Sequence, residues 1–429
     1  MTAHPPPAPA GHIPPFLIRR LGYSTRRTFS YGECVPIGLG RKTLLPTHPD
    51  DIFHILVSND ANYVKSRNLS TPQGARRVGG GLISRTGPAH LARRRLLQPL
   101  YHQRSIEAYT RIMAEQTRRH LDTWKPGDEL NLGDEMSGLS IRILLASTFG
   151  ELAETDIREL IAAIRDRRTY TERVYFSRIP FYHRLPTPAA SRNDRARQLI
   201  QSVTTREIQR RRSRPGDDLL SRMMALITPE GSPLTDTDLK DEILALMSTG
   251  HETITEWLTW LWILVARHPG LADRCRAEWS RPELSERPNV NAFIDEALRL
   301  YPPTWIFARV PVAPDTLPSG TRVTPAKTIL LCQFLLHRHP ASFPDPEQFN
   351  PDRFLAPEAS KWTGRSFFPF GAGPHRCIGD RFARTEILTI LPLIDQAFRF
   401  EPLPDQSCTP DPSITLRPRG GFRVIAHRR

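Results

Sequence analysis

Apolar residues recur along most of this chain three and four positions apart, the spacing of a stripe on an amphipathic helix. "DIRELIAAIRD" sets Ile157, Leu160, Ile161 and Ile164 on one such stripe, and "SIEAYTRIMAEQTRRHLDTW" does the same with Ile106, Tyr109, Ile112 and Met113. The rhythm breaks between Thr169 and Ser191, where "TYTERVYFSRIPFYHRLPTPAAS" mixes aromatic, basic and proline residues and predicts a mobile connection, suited to a lid. A long helix is predicted from Thr235, an N-cap followed by acids, to the Pro269–Gly270 stop. At roughly thirty residues it far exceeds the mean helix. From Pro302 the texture turns to β-branched residues between turn signals, which predicts short strands. The expected fold class is mainly α with small β-sheets (α+β). A proline-rich arm over 1–15 is expected to precede one domain over 16–429, with no internal repeat.

Composition narrows the class. The chain has 429 residues, 39% of them hydrophobic, with seven Trp and nineteen Phe, enough to bury a large core. Lys and Arg outnumber Asp and Glu by 59 to 45, a formal charge of +14 that favours an acidic partner. Zinc-finger spacing, RNA-binding aromatics and basic heptads are all lacking, so a nucleic acid is a poor candidate. Five scattered cysteines (Cys34, Cys275, Cys332, Cys377, Cys408) without a C-x-x-C argue against disulfides and zinc thiolates, and fit a reducing cytosol. No apolar run reaches the ~18 residues of a membrane span. A soluble, cytoplasmic protein is expected.

The most informative stretch is "FFPFGAGPHRCIGD", Phe367 to Asp380. A thiolate that ligates a large planar cofactor needs close backbone approach, which Gly371, Gly373 and Gly379 permit. If Cys377 opens a helix, the following amides stabilise its anion. A lone cysteine is more often a small buried apolar residue. Here "FGAGPHRCIG" fits Phe-x-x-Gly-x-(Arg/His)-x-Cys-x-Gly throughout and resembles the haem-binding loop of the cytochrome P-450 family of haem-thiolate monooxygenases. The resemblance implies haem b with Cys377 as axial ligand of its iron. It further implies Phe370 packed by the sulfur, Gly371 and Gly379 shaping the loop, and His375 on a propionate.

Other segments follow the family's order. By resemblance, Glu296 and Arg299 of "NAFIDEALRLYPP", with Arg353 of "FNPDRF", form a structural triad on the cysteine side of the haem. His90 and Arg94, one turn apart, resemble propionate contacts, and Arg309 a further one. "LMSTGHETITEW" looks like the oxygen-activation motif, with Gly250 widening the helix and Glu252 and Thr253 relaying protons; Thr249 departs from the usual alanine or glycine. Read alone, Thr253 is equally a helix threonine bonded back to a carbonyl. Leu82, Ile83, Thr249, Thr304, Trp305, Ile306, Phe307 and Ile414 fall where the family lines its substrate pocket, though such residues are more often plain core.

The resemblance implies O2-dependent hydroxylation of a hydrophobic small molecule, terpenoid, fatty acyl or other, by a monomeric enzyme. Without a flavin or nicotinamide fingerprint, electrons must come from outside, by expectation from a ferredoxin and its reductase. That acidic partner would dock on Arg93, Arg95, Arg104, Arg376, Arg381 and Arg384. The alternatives are a peroxide-dependent haem-thiolate enzyme and a non-catalytic haem sensor or electron carrier. Both make less use of the acid-alcohol pair.

Overall fold

The computed structural model describes residues 34–37, 43–176, 182, 185–281, 286–325, 327–362 and 365–429. The proline-rich arm at 1–15 lies outside them. The described residues form two compact units, each assembled from separate stretches: those up to Ser66, 263–377 and 409–417 in the first, 67–262, 378–408 and 418–429 in the second.

The first unit is organised by a five-stranded sheet in the order Cys34–Ile37, Thr43–Pro46, Thr328–Leu331, Phe307–Pro311, Tyr63–Lys65. Thr43–Pro46 pairs in parallel with Thr328–Leu331, and the other pairings are antiparallel. Successive residues point to opposite faces of a strand, and both faces are covered here. Leu44 joins Ile52, Ile55, Tyr63, Ile329 and Phe368 on one side, whereas Leu45 joins Trp305, Cys332, Phe334 and Leu416 on the other. The strands expected after Pro302 are present, but "CQFLLHRHP" turns into the short helix Gln333–Leu336, all four residues buried. Its apolar run is too short for periodicity to separate strand from helix.

The second unit is mainly helical. Helix Gln103–Leu121 buries Ile106, Tyr109 and Met113, and helix Glu154–Phe176 buries Leu160, Ala163 and Ile164. The second helix outlasts the break expected at Thr169. Tyr170 continues its buried stripe and Thr171 bonds back to the Arg167 carbonyl, so aromatic and β-branched residues here extend the helix. The next helix, Pro188–Ser213, starts from a Thr187 cap whose hydroxyl accepts the Ala190 amide. A three-stranded sheet, Glu129–Asn131, Arg423–Arg428 and Phe398–Pro402, completes the unit. No described helix is long and apolar enough to cross a membrane.

The predicted thirty-residue helix is two helices, Asp236–Thr249 and Glu252–Arg267. Thr235 caps the first in a reciprocal pair with Asp238, and Gly250 ends it. A Cβ on Gly250 would stand 2.9 Å from the Leu246 carbonyl oxygen and 3.3 Å from Leu144. The glycine therefore lets a crowded break form beside Leu144 on helix Leu132–Phe149.

Candidate active site

In the first unit the cysteine loop begins at Phe368. The Gly371 amide donates to the Phe368 carbonyl at 2.8 Å, and the chain then closes a tight turn at Gly373–His375. Gly373 has φ +63°, and a Cβ there would lie 1.9 Å from the Leu56 carbonyl oxygen, so only glycine fits. The Cys377 amide donates to the Phe370 carbonyl at 2.8 Å, which closes the loop's backbone at the cysteine. Cys377 is exposed, whereas Cys275 and Cys332 are buried. A thiol placed for packing would be enclosed as those two are. Gly379 has an ordinary φ of −93° and caps the next helix, Asp380–Ala397. Cys377 thus lies two residues before the cap, a correction to its reading as a helix opener.

Glu296, Arg299 and Arg353 meet in the same unit. Arg299 grips Glu296 through Nε at 2.7 Å and Nη2 at 2.8 Å, and Arg353 Nε donates to the same carboxylate at 3.1 Å. Glu296 also accepts the Asn350 amide at 2.8 Å, and Arg299 reaches the His337 and Pro346 carbonyls. Glu296 and Arg299 have no exposed surface, so this is a buried, fully hydrogen-bonded ion cluster. Arg309 is different. It is 8% exposed, its guanidinium stacks on Phe307, and its hydrogen bond among the described residues goes to the Ala308 carbonyl. Burial alone lowers its pKa to about 10. A buried cation facing no carboxylate among the described residues calls for an anion.

Of the expected pocket residues in this unit, Thr304, Ile306, Phe307 and Ile414 are half-buried. Trp305 is 2% exposed in the core, with its indole N–H donating to the Ser413 carbonyl at 2.8 Å. It packs against Leu45 and Phe334 as a core side chain.

The second unit holds Leu82, Ile83, His90, Arg94, Thr249, Gly250, Glu252, Thr253 and Gly379. Leu82 and Ile83 follow Gly79–Gly81, which pack directly on helix Asp236–Thr249, and the Leu82 amide donates to Glu242 at 3.0 Å. His90 is buried on helix Gly87–Leu97, its ring 3.3 Å from the Leu82 carbonyl, and Arg94 lies one turn on, half-buried. Arg93 is buried and paired with Asp238, and lies 3.6 Å from Glu242. Its charge is committed inside the fold, so it leaves the expected docking set. Arg95, Arg104 and Arg381 in this unit are exposed.

Thr249 donates to the Ala245 carbonyl at 2.9 Å and Thr253 to the Thr249 carbonyl at 3.3 Å. Glu252 is 6% exposed and pairs at 2.8 Å with Arg168 Nε of helix Glu154–Phe176. Arg168 also approaches Glu172 at 3.5 Å and Glu256 at 3.9 Å. Nothing adjacent in sequence marks Arg168 as the partner of Glu252.

The family model described as Cytochrome P450 matches residues 23–424. The chain belongs to the cytochrome P450 family. It is a mainly α haem-thiolate monooxygenase. Among curated proteins it is 32% identical to cyclooctat-9-en-7-ol 5-monooxygenase of Streptomyces melanosporofaciens, over 87% of this chain and 84% of that one. It is 30% identical to cyclooctatin synthase of the same organism, over 93% and 90%. With pentalenene oxygenase of Streptomyces avermitilis it shares 28% over 89% and 87%. The fold matches that of the retinoic acid-bound cyanobacterial CYP120A1 at a TM-score of 0.84 and 23% identity, covering 99% of this P450 and 100% of that chain.

Proposed function

We propose that this P450 hydroxylates a hydrophobic, terpenoid-type small molecule, with Cys377 as the haem ligand and Glu252 and Thr253 as its proton-handling pair. The observation that carries the reading is the exposed Cys377 on a loop that only glycine at 373 can form. Arg309, the buried cation of the same unit, suits a cofactor carboxylate, as does His375; His90 and Arg94 of the second unit are assigned to the propionates by the family resemblance. The donor set therefore fits a haem. When bound, it supplies dioxygen activation at an iron whose thiolate ligand favours O–O cleavage.

The chain's own share is placement and protons. Glu252 Oε1, held by Arg168, receives a proton from solvent and passes it on when that pair loosens. The Thr253 hydroxyl donates to the Thr249 carbonyl at 3.3 Å and keeps its lone pairs free to accept; on releasing that carbonyl it would pass its own proton on while taking one in its place, the proton relay that a bound haem would require. By the family resemblance, Leu82 and Ile83 in the second unit, and separately Ile306, Phe307 and Ile414 in the first, are the residues assigned to excluding water and orienting the substrate. Thr249 puts a hydroxyl where a smaller residue is usual and restricts which carbon is presented. The terpenoid assignment is supported by the names of the Streptomyces relatives at 28–32% identity. Electrons come from a ferredoxin and its reductase, recruited by the exposed Arg95, Arg104 and Arg381 of the second unit.

The test is spectral. The reduced, carbon monoxide-bound protein gives the red-shifted Soret band of a thiolate-ligated haem, and Cys377→Ser abolishes it. An unshifted band in folded wild type refutes the ligand assignment. Terpenoids then shift the spin state of the oxidised protein; a response confined to fatty acids refutes the substrate class.

A further inference from the structure

The buried imidazole of His337 belongs to no motif that marks the cysteine loop, yet it is bonded to it. His337 and Gln333 lie at the two ends of the turn that includes helix Gln333–Leu336, and neither side chain has more than 1% exposure. His337 Nε2 accepts the Phe368 amide at 3.1 Å, and Gln333 Nε2 donates to the Phe368 carbonyl at 2.6 Å. Both polar atoms of one residue at the head of the loop are thus held by side chains. The ring also packs against Phe367 and Phe368, with centroids 5.2 and 5.3 Å away.

An imidazole accepting at Nε2 carries its proton on Nδ1, which has no hydrogen-bond partner among the described residues. Burial drives the pKa of His337 down to about 3, and nearby Arg299 and Arg338 further disfavour a second proton. The ring therefore stays neutral and remains an acceptor. The backbone of the same residue is fixed independently, because Arg299 Nη1 donates to the His337 carbonyl at 3.0 Å. A continuous set of buried polar contacts runs from Glu296 through Arg299 and His337 to Phe368. Two residues on, the Phe370 carbonyl receives the Cys377 amide.

We propose that His337 is a positioning residue: by accepting the Phe368 amide it transfers the rigidity of the Glu296–Arg299–Arg353 cluster to the cysteine loop and so sets the thiolate's grip on its metal. The proposal rests on Cys377 being the haem ligand. Partners that orient a ligand from behind alter metal affinity and electronics without touching the metal.

The experiment uses the holoenzyme. In wild type the Phe368 amide exchanges hydrogen for deuterium as slowly as the most protected amides of the unit; fast exchange there overturns the proposal outright. His337→Phe keeps a ring but offers no acceptor, and His337→Gln restores an acceptor at similar reach. His337→Phe is expected to speed both Phe368 exchange and the decay of the red-shifted carbonyl band to the unshifted form, by about 10-fold, the lower end of such effects. It also moves the haem midpoint potential, while His337→Gln stays near wild type in all three. Equal damage from the two variants makes the effect one of packing and overturns the proposal, as does a His337→Phe protein indistinguishable from wild type. Should His337→Phe give no folded holoenzyme, Gln333→Met, which removes only the donor to the Phe368 carbonyl, reads out the same quantities. Failure of the ligand assignment is separate, since it shows as an unshifted band in wild type.

Discussion

Replacing Arg168 with methionine tests the least expected contact of the site. The methionine keeps most of the aliphatic stem but leaves Glu252 and Glu256, one helical turn apart and 6% and 4% exposed, without their cation. At 2.8 Å the Arg168–Glu252 attraction is about 6 kcal/mol for an effective dielectric near 20. Desolvation of a nearly buried carboxylate takes back much of this, and Arg168 keeps 24% of its side chain in water. The net coupling between the two residues should be about 1–3 kcal/mol. Urea unfolding of wild type, Arg168→Met, Glu252→Gln and the double variant measures it. Arg168→Met should be less destabilising in the Glu252→Gln background, where the nearest carboxylate charge is gone and only the more distant Glu172 and Glu256 lose the cation. If the penalty is the same in both backgrounds within about 0.5 kcal/mol, the pair does not hold Glu252. A second readout follows from the proposed proton role. With Glu252 no longer held, less product should form per electron pair supplied, and an unchanged ratio would separate the ion pair from proton handling.

Two further outcomes follow from the first unit. Gly373→Ala puts a Cβ into the Leu56 carbonyl at φ +63° and should lower the thermal midpoint and haem content, whereas Gly320→Ala, at φ +82° with open space around it, carries only the backbone cost of about 1–2 kcal/mol; equal midpoints for the two variants would contradict the close approach. Asp315 accepts from Tyr63 at 2.6 Å, His54 at 2.8 Å and Asn59 at 2.9 Å; burial alone would raise its pKa, but these bonds and the Thr316 amide lower it to about 2. A depressed folded value means its contribution is present above the ordinary carboxylate range and is lost as pH falls toward 2. Asp315→Asn should flatten that part of the stability profile, and a parallel acid profile in wild type and variant would count against it.

What could be read from the sequence divides along a physical line. Helical stripes such as Ile106–Tyr109–Met113, the Thr235 cap and the cysteine loop depend on residues within a few positions of each other, so order and spacing disclose them. The helix through Tyr170 is set by burial, which local composition does not disclose, whereas the glycine at 250 marks where the long helix departs from regularity without showing that it ends one helix and precedes another. Arg93 and Arg95 look alike as sequence, but Arg93 spends its charge on Asp238 inside the second unit and Arg95 does not. Partners that meet only after folding leave no local trace. Phe368 is held by side chains 31 and 35 positions earlier, and nothing in "CQFLLHRHP" distinguishes His337 from His339. The distinction is made by burial: His337 is fully enclosed and neutral, with its acceptor nitrogen on a peptide of the cysteine loop. A loop motif can therefore identify a metal ligand while leaving the residues that hold the loop to be found in three dimensions, and it is those residues that decide how firmly the ligand is presented.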